Sequence, residues 1–154
     1  MHTTKSIIAA ILLLSGPFTM TGQQQQAESC RVEFTEPKQG DAVSDDGDVK
    51  GTATIPSGKH LWVFAHRRGL ALWWPQGGGP TQVDEQKWVA FVTYGQDRDR
   101  GSEFEVAAVV LGEKEHADML NVIKRYEERG EYPGVRLPLP AHDCSITKMI
   151  VTKR

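Results

Sequence analysis

The residues best suited to ligand contact lie in one short Trp-rich segment. Trp73 and Trp74 are adjacent, and neighbouring side chains on a strand point to opposite faces, so one is expected to fill a core and the other to face outward. An exposed Trp can stack on the apolar face of a ligand, and Gln76 offers an amide for a hydrogen bond. Together with Trp62, these residues predict a surface that binds a protein or a glycan.

The same segment has a second interpretation that involves no ligand. In it, one Trp belongs to the core and the other lies on an edge strand under a helix. The glycines of Gly77–Gly79 then serve only a strained turn, because glycine adopts backbone conformations that other residues avoid.

Carboxylates offer a catalytic alternative. Glu103 and Glu105 share one face of a predicted strand and could form the carboxylate pair of a small glycoside hydrolase. The same spacing is typical of any solvent-facing strand. The sequence contains no G-x-S-x-G elbow, and Gly77–Gly79 lacks the strand-to-helix setting and the Lys of a phosphate loop. We therefore expect a non-catalytic module, with the hydrolase and a structural module of a cell-surface complex as alternatives.

Metal and cofactor sites are not expected. His60 and His66 are six residues apart on one predicted strand, about 20 Å at ~3.3 Å per residue, which is too far for one ion. A calcium site is an alternative for the acidic loop near Gly47, but its spacing does not match an EF-hand, and a solvated turn is preferred. The carboxylates of that loop are Asp41, Asp45, Asp46 and Asp48.

The first residues predict export. Lys5 precedes the apolar run Ile7–Leu14, and small or polar residues follow as far as Gly22, the order of a secretory signal peptide. Cleavage fits after Gly22 or after Ala27. The apolar run is shorter than the ~20 residues that cross a bilayer, so no membrane span is expected. We assign residues 1–22 to the signal and 23–29 to a polar spacer, which predicts a secreted or periplasmic protein.

Two cysteines frame the rest of the chain. Cys30 and Cys144 are the only ones, and in an oxidising compartment they are expected to form a disulfide. Closing so long a loop removes conformational entropy from the unfolded chain, worth ~4–5 kcal/mol in the chain-entropy model. Two free thiols and a lipid attached to Cys30 are the alternatives.

Composition argues against nucleic acid as a partner. The chain has 154 residues with 18 basic and 20 acidic side chains, so no basic excess exists to bind phosphates. The segment left after the signal and spacer, residues 30–154, has the length of a single domain.

Seven segments have the apolar patterns of strands, and one has that of a helix. His60–His66 is apolar on both faces, as expected of a central strand. Glu113–Arg129 is predicted to be a helix because its apolar residues recur at helical spacing and Gly130 and Pro133 follow. The other strands are predicted over Arg31–Thr35, Val49–Ile55, Leu70–Trp74, Lys87–Tyr94, Glu103–Leu111 and Ser145–Thr152.

These elements predict an antiparallel, immunoglobulin-like β-sandwich of about seven strands, with one α-helix before the last strand. Two motifs open the domain, Pro37-x-x-Gly40-x-x-Val43 and Val49-x-Gly51-x-Ala53. They resemble the opening of bacterial immunoglobulin-like and fibronectin type III-like extracellular modules. The resemblance covers the first third of the domain and implies a sandwich fold with a binding or adhesive habit, without implying any functional residue.

Overall fold

The strand from His60 to Arg67 is apolar on both faces, and the fold covers both of them. In the computed structural model, which describes residues 29–154, Leu61 and Val63 face a second sheet, while Trp62 and Phe64 face a helix. The predicted signal peptide and residues 23–28 of the predicted spacer lie outside the described residues. The described chain is therefore built in three layers, sheet, sheet and helix.

Between residues 29 and 154 there are nine strands and one α-helix. The helix, α1 (Glu113–Arg129), lies between the last two strands, and a short 3-10 turn, Asp97–Asp99, precedes the eighth. The strands are β1 (Arg31–Glu36), β2 (Ala42–Val43), β3 (Asp46–Thr54), β4 (His60–Arg67), β5 (Trp74–Pro75), β6 (Val83–Asp84), β7 (Lys87–Thr93), β8 (Glu103–Leu111) and β9 (Thr147–Lys153).

The strands form a four-stranded sheet in the order β1-β3-β7-β6 and a five-stranded sheet in the order β2-β9-β8-β4-β5. Neighbours are antiparallel except β2 and β9, which run parallel with Ala42 opposite Thr152. The prediction of a β-rich domain with one helix is confirmed. Seven strands and an all-antiparallel arrangement were wrong, because the described chain has nine strands and one sheet is mixed.

The additional strands are short, and their partners impose their extended form. β2 and β6 have two residues each, too few for an apolar alternation to show. The strand predicted over Leu70–Trp74 was also wrong in its bounds, because only Trp74 and Pro75 pair with β4. Leu70 and Leu72 lie exposed in the connection that precedes them.

The main core lies between the two sheets. Alternate residues of β4 and β8 point into it from one side, and Val49 and Trp88 point into it from the other. Val32 of β1 also belongs to this core, and the Thr147 hydroxyl of β9 donates a hydrogen bond of 2.9 Å to its carbonyl oxygen. This bond ties the first strand of one sheet to the last strand of the other.

A second core lies between the five-stranded sheet and α1. The helix buries Met119, Val122 and Tyr126 against the outer side chains of β4 and β8. It ends at Gly130, whose φ of 64° is a left-handed conformation that glycine adopts without steric cost. The helix has the predicted bounds, because the stripe and the cap are both local sequence features.

The predicted disulfide is present. Cys30 and Cys144 are bonded with their Cα atoms 5.1 Å apart, and the structure contains no free cysteine in residues 29–154. This bond excludes the alternatives of two free thiols and of a lipid on the Cys30 sulfur. Over the same residues, no helix has both the length and the apolar character needed to cross a membrane.

We expect the substitution Gly51→Ala to destabilise the fold strongly. A Cβ atom at Gly51 would lie 2.1 Å from the Glu33 carbonyl oxygen and 2.3 Å from the Trp88 ring. Overpacking of this kind typically costs about 1–3 kcal/mol, and contact with backbone places the cost at the upper end. Gly47→Ala on the same strand is the matched control, because nothing lies within 4 Å of its added Cβ. Equal urea midpoints for the two variants would contradict this account of the core.

Loss of the disulfide should lower the free energy of unfolding. Replacing Cys30 and Cys144 together by Ser removes a crosslink between residues 114 positions apart. The expected loss is about 2–4 kcal/mol in urea unfolding. A reducing agent should destabilise the parent protein by a similar amount and leave the double variant unchanged, and sensitivity of that variant to reductant would contradict the interpretation.

Candidate functional site

A cleft of about 830 Å³ opens where β4 and β5 of one sheet face the end of β7 in the other. This volume lies within the range typical of small-ligand sites, about 300–1,000 Å³. We call it the Trp74 cleft. Its lining includes Arg67, Leu70, Trp74, Pro75, Gln76, Thr93, Gln96, Arg98, Asp99 and Tyr132.

Trp74 and Tyr132 are the accessible aromatic side chains of the Trp74 cleft, whose lining also includes the buried Phe104. Trp74 is half-buried, and its indole Nε1–H donates a hydrogen bond of 2.7 Å to the backbone carbonyl of Tyr132. Tyr132 is 62% exposed, and its ring centroid lies 5.0 Å from that of Tyr126 on α1. The Tyr126 hydroxyl in turn donates to the carbonyl of Pro133. The helix therefore positions Tyr132 beside Trp74 while leaving its surface open to a ligand.

Gln76 links the two sheets beside the cleft. Its Oε1 accepts a hydrogen bond of 2.9 Å from the backbone N–H of Thr93, and its Nε2 donates one of 2.9 Å to the carbonyl of Trp74. Because both ends of the amide are engaged within the fold, its first role is to hold β5 against the end of β7. Its predicted role as a hydrogen-bonding group for a ligand stays a prediction.

The polar wall of the cleft is built around Asp99. This residue is only 8% exposed, and its carboxylate accepts hydrogen bonds from the Gln96 backbone N–H at 2.8 Å and from Arg67 Nη1 at 3.2 Å. The Gln96 bond and then the charge of Arg67 hold the pKa of Asp99 below its usual value. Asp99 therefore serves as a structural charge within the protein, and little of its carboxylate is accessible to a ligand.

The loop around Asp99 departs from its predicted form. The alternating charges of Asp97, Arg98, Asp99 and Arg100 predict a surface hairpin whose side chains pair with one another. Instead Asp99 pairs with Arg67 of β4, and Arg100 Nη2 lies 4.0 Å from Asp45. The side chain of Arg98 makes no hydrogen bond or ion pair with residues 29–154.

A buried lysine of β9 holds the same loop in place. Lys153 of β9 is almost completely buried, and its Nζ donates a hydrogen bond of 2.7 Å to the Gln96 carbonyl. The same Nζ lies 3.1 Å from Asp45 Oδ1. Partners at two points compensate the cost of burying this charge. The rim of the cleft is thereby fastened to the last strand.

Two of the predicted binding residues lie outside the Trp74 cleft. Trp62 is 0% exposed and Trp73 is 6% exposed, and both belong to the core under α1. The Trp62 Nε1–H donates a hydrogen bond of 3.1 Å to His116 Nδ1. Because they are buried, these two indoles do not belong to the candidate surface. Of the four predicted binding residues, Trp74 and Gln76 remain there. As expected for adjacent strand residues, Trp73 and Trp74 face different surroundings.

The histidines of β4 have separate neighbours. His60 stacks on His116 with ring centroids 3.6 Å apart, and its Nε2 lies 3.0 Å from Glu113 Oε1. Burial and then the charge of His60 lower the pKa of His116, which favours the neutral ring that accepts from Trp62. Across residues 29–154, no group of three or more His, Cys, Asp or Glu is placed to hold a metal ion.

The carboxylates of β8 are each paired with cationic or imidazole groups. Glu105 Oε2 lies 2.9 Å from His66 Nε2, and Glu105 Oε1 lies 3.6 Å from Lys148 Nζ. The His66 bond and then the Lys148 charge lower the pKa of Glu105. Glu103 Oε2 accepts from Arg68 Nη1 at 2.6 Å. A glycosidase general acid needs a raised pKa, and Glu105 has the opposite shift.

Three residues of the cleft, Arg67, Arg98 and Tyr132, are not predicted by the sequence. Nothing in the local sequence marks Arg67 or Arg98 as a site residue. The only local clue to Tyr132 was its position between the helix cap at Gly130 and Pro133. These side chains meet only because the fold brings the connection after α1 back to the edge of β5, where Trp73 and Val135 form an isolated β-bridge.

Compared with known proteins, the chain matches no family model, no curated protein and no solved structure. Three properties of the cleft bear on the function of the chain: its volume, its aromatic wall and its two arginines.

The His66–Glu105–Lys148 cluster should make stability depend on pH. Because folding lowers the pKa of Glu105, its stabilisation is complete above the ordinary glutamate value of about 4.3 and is lost as the pH falls through the lowered value. We expect Glu105→Gln to cost about 1–3 kcal/mol at pH 7 and progressively less below pH about 4. Urea unfolding between pH 7 and pH 3 measures the difference.

The exposed Glu127→Gln on α1 is the control for this pH series, and it should parallel the parent protein. A cost of Glu105→Gln that is the same at pH 3 as at pH 7 would show that the carboxylate charge does not matter.

Proposed function

We propose that the chain is a non-catalytic, carbohydrate-binding module and that the Trp74 cleft holds the glycan. The observation that carries the proposal is the pairing of a half-buried Trp74 with an exposed Tyr132 in one cleft. Sugar rings have apolar C–H faces that stack on such aromatic surfaces, while their hydroxyls remain available to the polar wall.

A peptide bound as an added strand is less well supported, because the backbone beside the cleft is already paired. The N–H groups of Trp73 and Gln76 donate bonds of 2.8 Å to Val135 and Val63 respectively, and the Val135 N–H donates back to Trp73. Strand addition needs a free row of backbone donors and acceptors, which the two-residue β5 does not offer. A protein that contacts only the side chains of the cleft is the remaining alternative ligand.

The other two candidate functions have weaker support. A hydrolase would need an accessible carboxylate pair with one raised pKa, whereas Glu103 and Glu105 are bound to Arg68 and His66 and the pKa of Glu105 is lowered. A purely structural module would present a flat apolar surface, whereas Trp74 lines a concave one.

We further infer that the domain is an immunoglobulin-like module exported to the periplasm or the medium. The opening motifs around Pro37 and Val49 and the two facing sheets support the fold assignment. The Cys30–Cys144 disulfide supports the compartment, because such bonds persist where thiols are oxidised.

The test is affinity electrophoresis in gels that contain dextran, galactan, polygalacturonate or dextran sulfate. The parent protein should be retarded by at least one of these polymers. Trp74→Ala should weaken that retardation at least about tenfold, because truncating a hot-spot aromatic residue at the centre of a contact typically costs about 2 kcal/mol or more. Thermal unfolding of the same variant shows whether the fold is retained.

Phe91→Ala is the matched control, because Phe91 is an aromatic residue 52% exposed on the outer face of β7, outside the cleft. Retardation by none of the polymers, or an equal loss in the Trp74 and Phe91 variants, would overturn the proposal. If Trp74→Ala fails to fold, Tyr132→Ala tests the same aromatic wall from an exposed position.

A further inference from the structure

Within residues 29–154, the Arg98 guanidinium acts only at a distance, by helping to lower the pKa of Asp99. The Arg98 side chain is exposed at the rim of the Trp74 cleft and makes no hydrogen bond or ion pair with residues 29–154. The neighbouring basic side chains are engaged: Arg100 approaches Asp45, Arg68 bonds Glu103, and Lys153 bonds Gln96. Arg98 therefore differs from the cations around it in being available to a ligand.

Arg67 offers a second, oriented guanidinium in the same cleft. Its Nη1 donates to Asp99 at 3.2 Å, while its side chain remains 47% exposed. A guanidinium has five N–H donors in a planar fork, so one bond to Asp99 leaves others for a bound anion. Asp99 itself is committed to Gln96 and Arg67, so it fixes the fork in place.

The charge balance of the cleft is opposite to that of the chain. Two arginines and one aspartate line the cleft, which leaves it one positive charge, whereas the whole chain has a net charge of −2. Within the cleft the negative group is buried and the positive groups reach solvent. A negatively charged ligand is therefore favoured at this surface, although the chain as a whole repels anions.

We infer that the glycan bound in the Trp74 cleft is anionic, a polymer whose sugars carry carboxylate or sulfate groups. Its rings stack between Trp74 and Tyr132, and its charged groups accept hydrogen bonds from Arg98 and Arg67. Planar guanidinium forks match both kinds of anion, which have paired oxygens at the matching spacing. This inference rests on the proposed function and narrows its ligand class.

The test compares polymers that differ only in charge. Polygalacturonate is compared with its methyl ester, and dextran sulfate with dextran, by the dissociation constants from affinity electrophoresis. The parent protein should bind at least one charged polymer at least tenfold more tightly than its uncharged counterpart. Raising the NaCl concentration should weaken that binding, since rim charges are screened by salt. Binding of polygalacturonate would indicate carboxylate recognition, and binding of dextran sulfate would indicate sulfate recognition.

Arg98→Gln is the diagnostic variant, because it removes the charge and breaks no hydrogen bond or ion pair within residues 29–154. It should weaken binding of the charged polymer about tenfold, as expected for loss of a charge-assisted contact, and leave the uncharged counterpart unaffected. Arg125→Gln, an exposed arginine of α1 outside the cleft, should bind like the parent protein. Arg98→Lys, which keeps the charge and loses the fork, should bind with intermediate affinity.

The outcomes separate this inference from the proposed function. If charged and uncharged polymers bind equally and binding depends on Trp74, the inference of an anionic ligand is overturned and the proposal of carbohydrate binding is retained. Equal losses in the Arg98→Gln and Arg125→Gln variants would likewise overturn the inference of an anionic ligand, because the effect would then be one of net charge. Binding of none of these four polymers and no binding of galactan would overturn both proposals.

Discussion

Burial of both faces of the β4–β8 pair is the constraint on which the rest of the structure depends. The two strands pair along the whole of β4, from His60 opposite Leu111 to Arg67 opposite Phe104. Their apolar side chains alternate between two sides, and each side has to be removed from water. The four-stranded sheet covers one side and α1 covers the other. The helix is therefore a required layer of the domain, since without it Trp62 and Phe64 would be exposed.

The cleft lies at the end of β4, where the cover provided by the four-stranded sheet and by α1 ends. Towards the end of β4 the sequence changes from apolar to polar, with His66 and Arg67 in place of residues such as Phe64. Polar bonds replace apolar packing there, through Gln76 between the sheets and Lys153 beneath the loop. The same bonds that compensate for the missing cover fix the backbone on both sides of the cleft, at Trp74 and Thr93 and at Gln96, and a fixed frame favours binding because less entropy is lost when a ligand is held.

A feature of the fold or of the cleft could be predicted when residues close together in the sequence determine it. The bounds of α1 and the opposite orientations of Trp73 and Trp74 follow from spacing alone, and the disulfide followed from the cysteine count and the expected compartment. β2 and β6 could not be found, because two-residue strands have no periodicity and exist only against their partners. The cleft was only partly predicted, because Tyr132 and Arg98 reach it from segments that nothing in the sequence joins to Trp74.

The position of the disulfide has a mechanical consequence. Cys30 and Cys144 lie at the two ends of the sheet region, with Cα atoms 5.1 Å apart. Tension applied between residue 29 and residue 154 would pass from Cys30 through the sulfur atoms to Cys144 and then into β9. The chain between the two cysteines would carry none of this load, and resistance to stretching would come from the bonds that hold β9 to β8 and β2. A domain of this design keeps most of its strands out of the force path when it is pulled at residues 29 and 154.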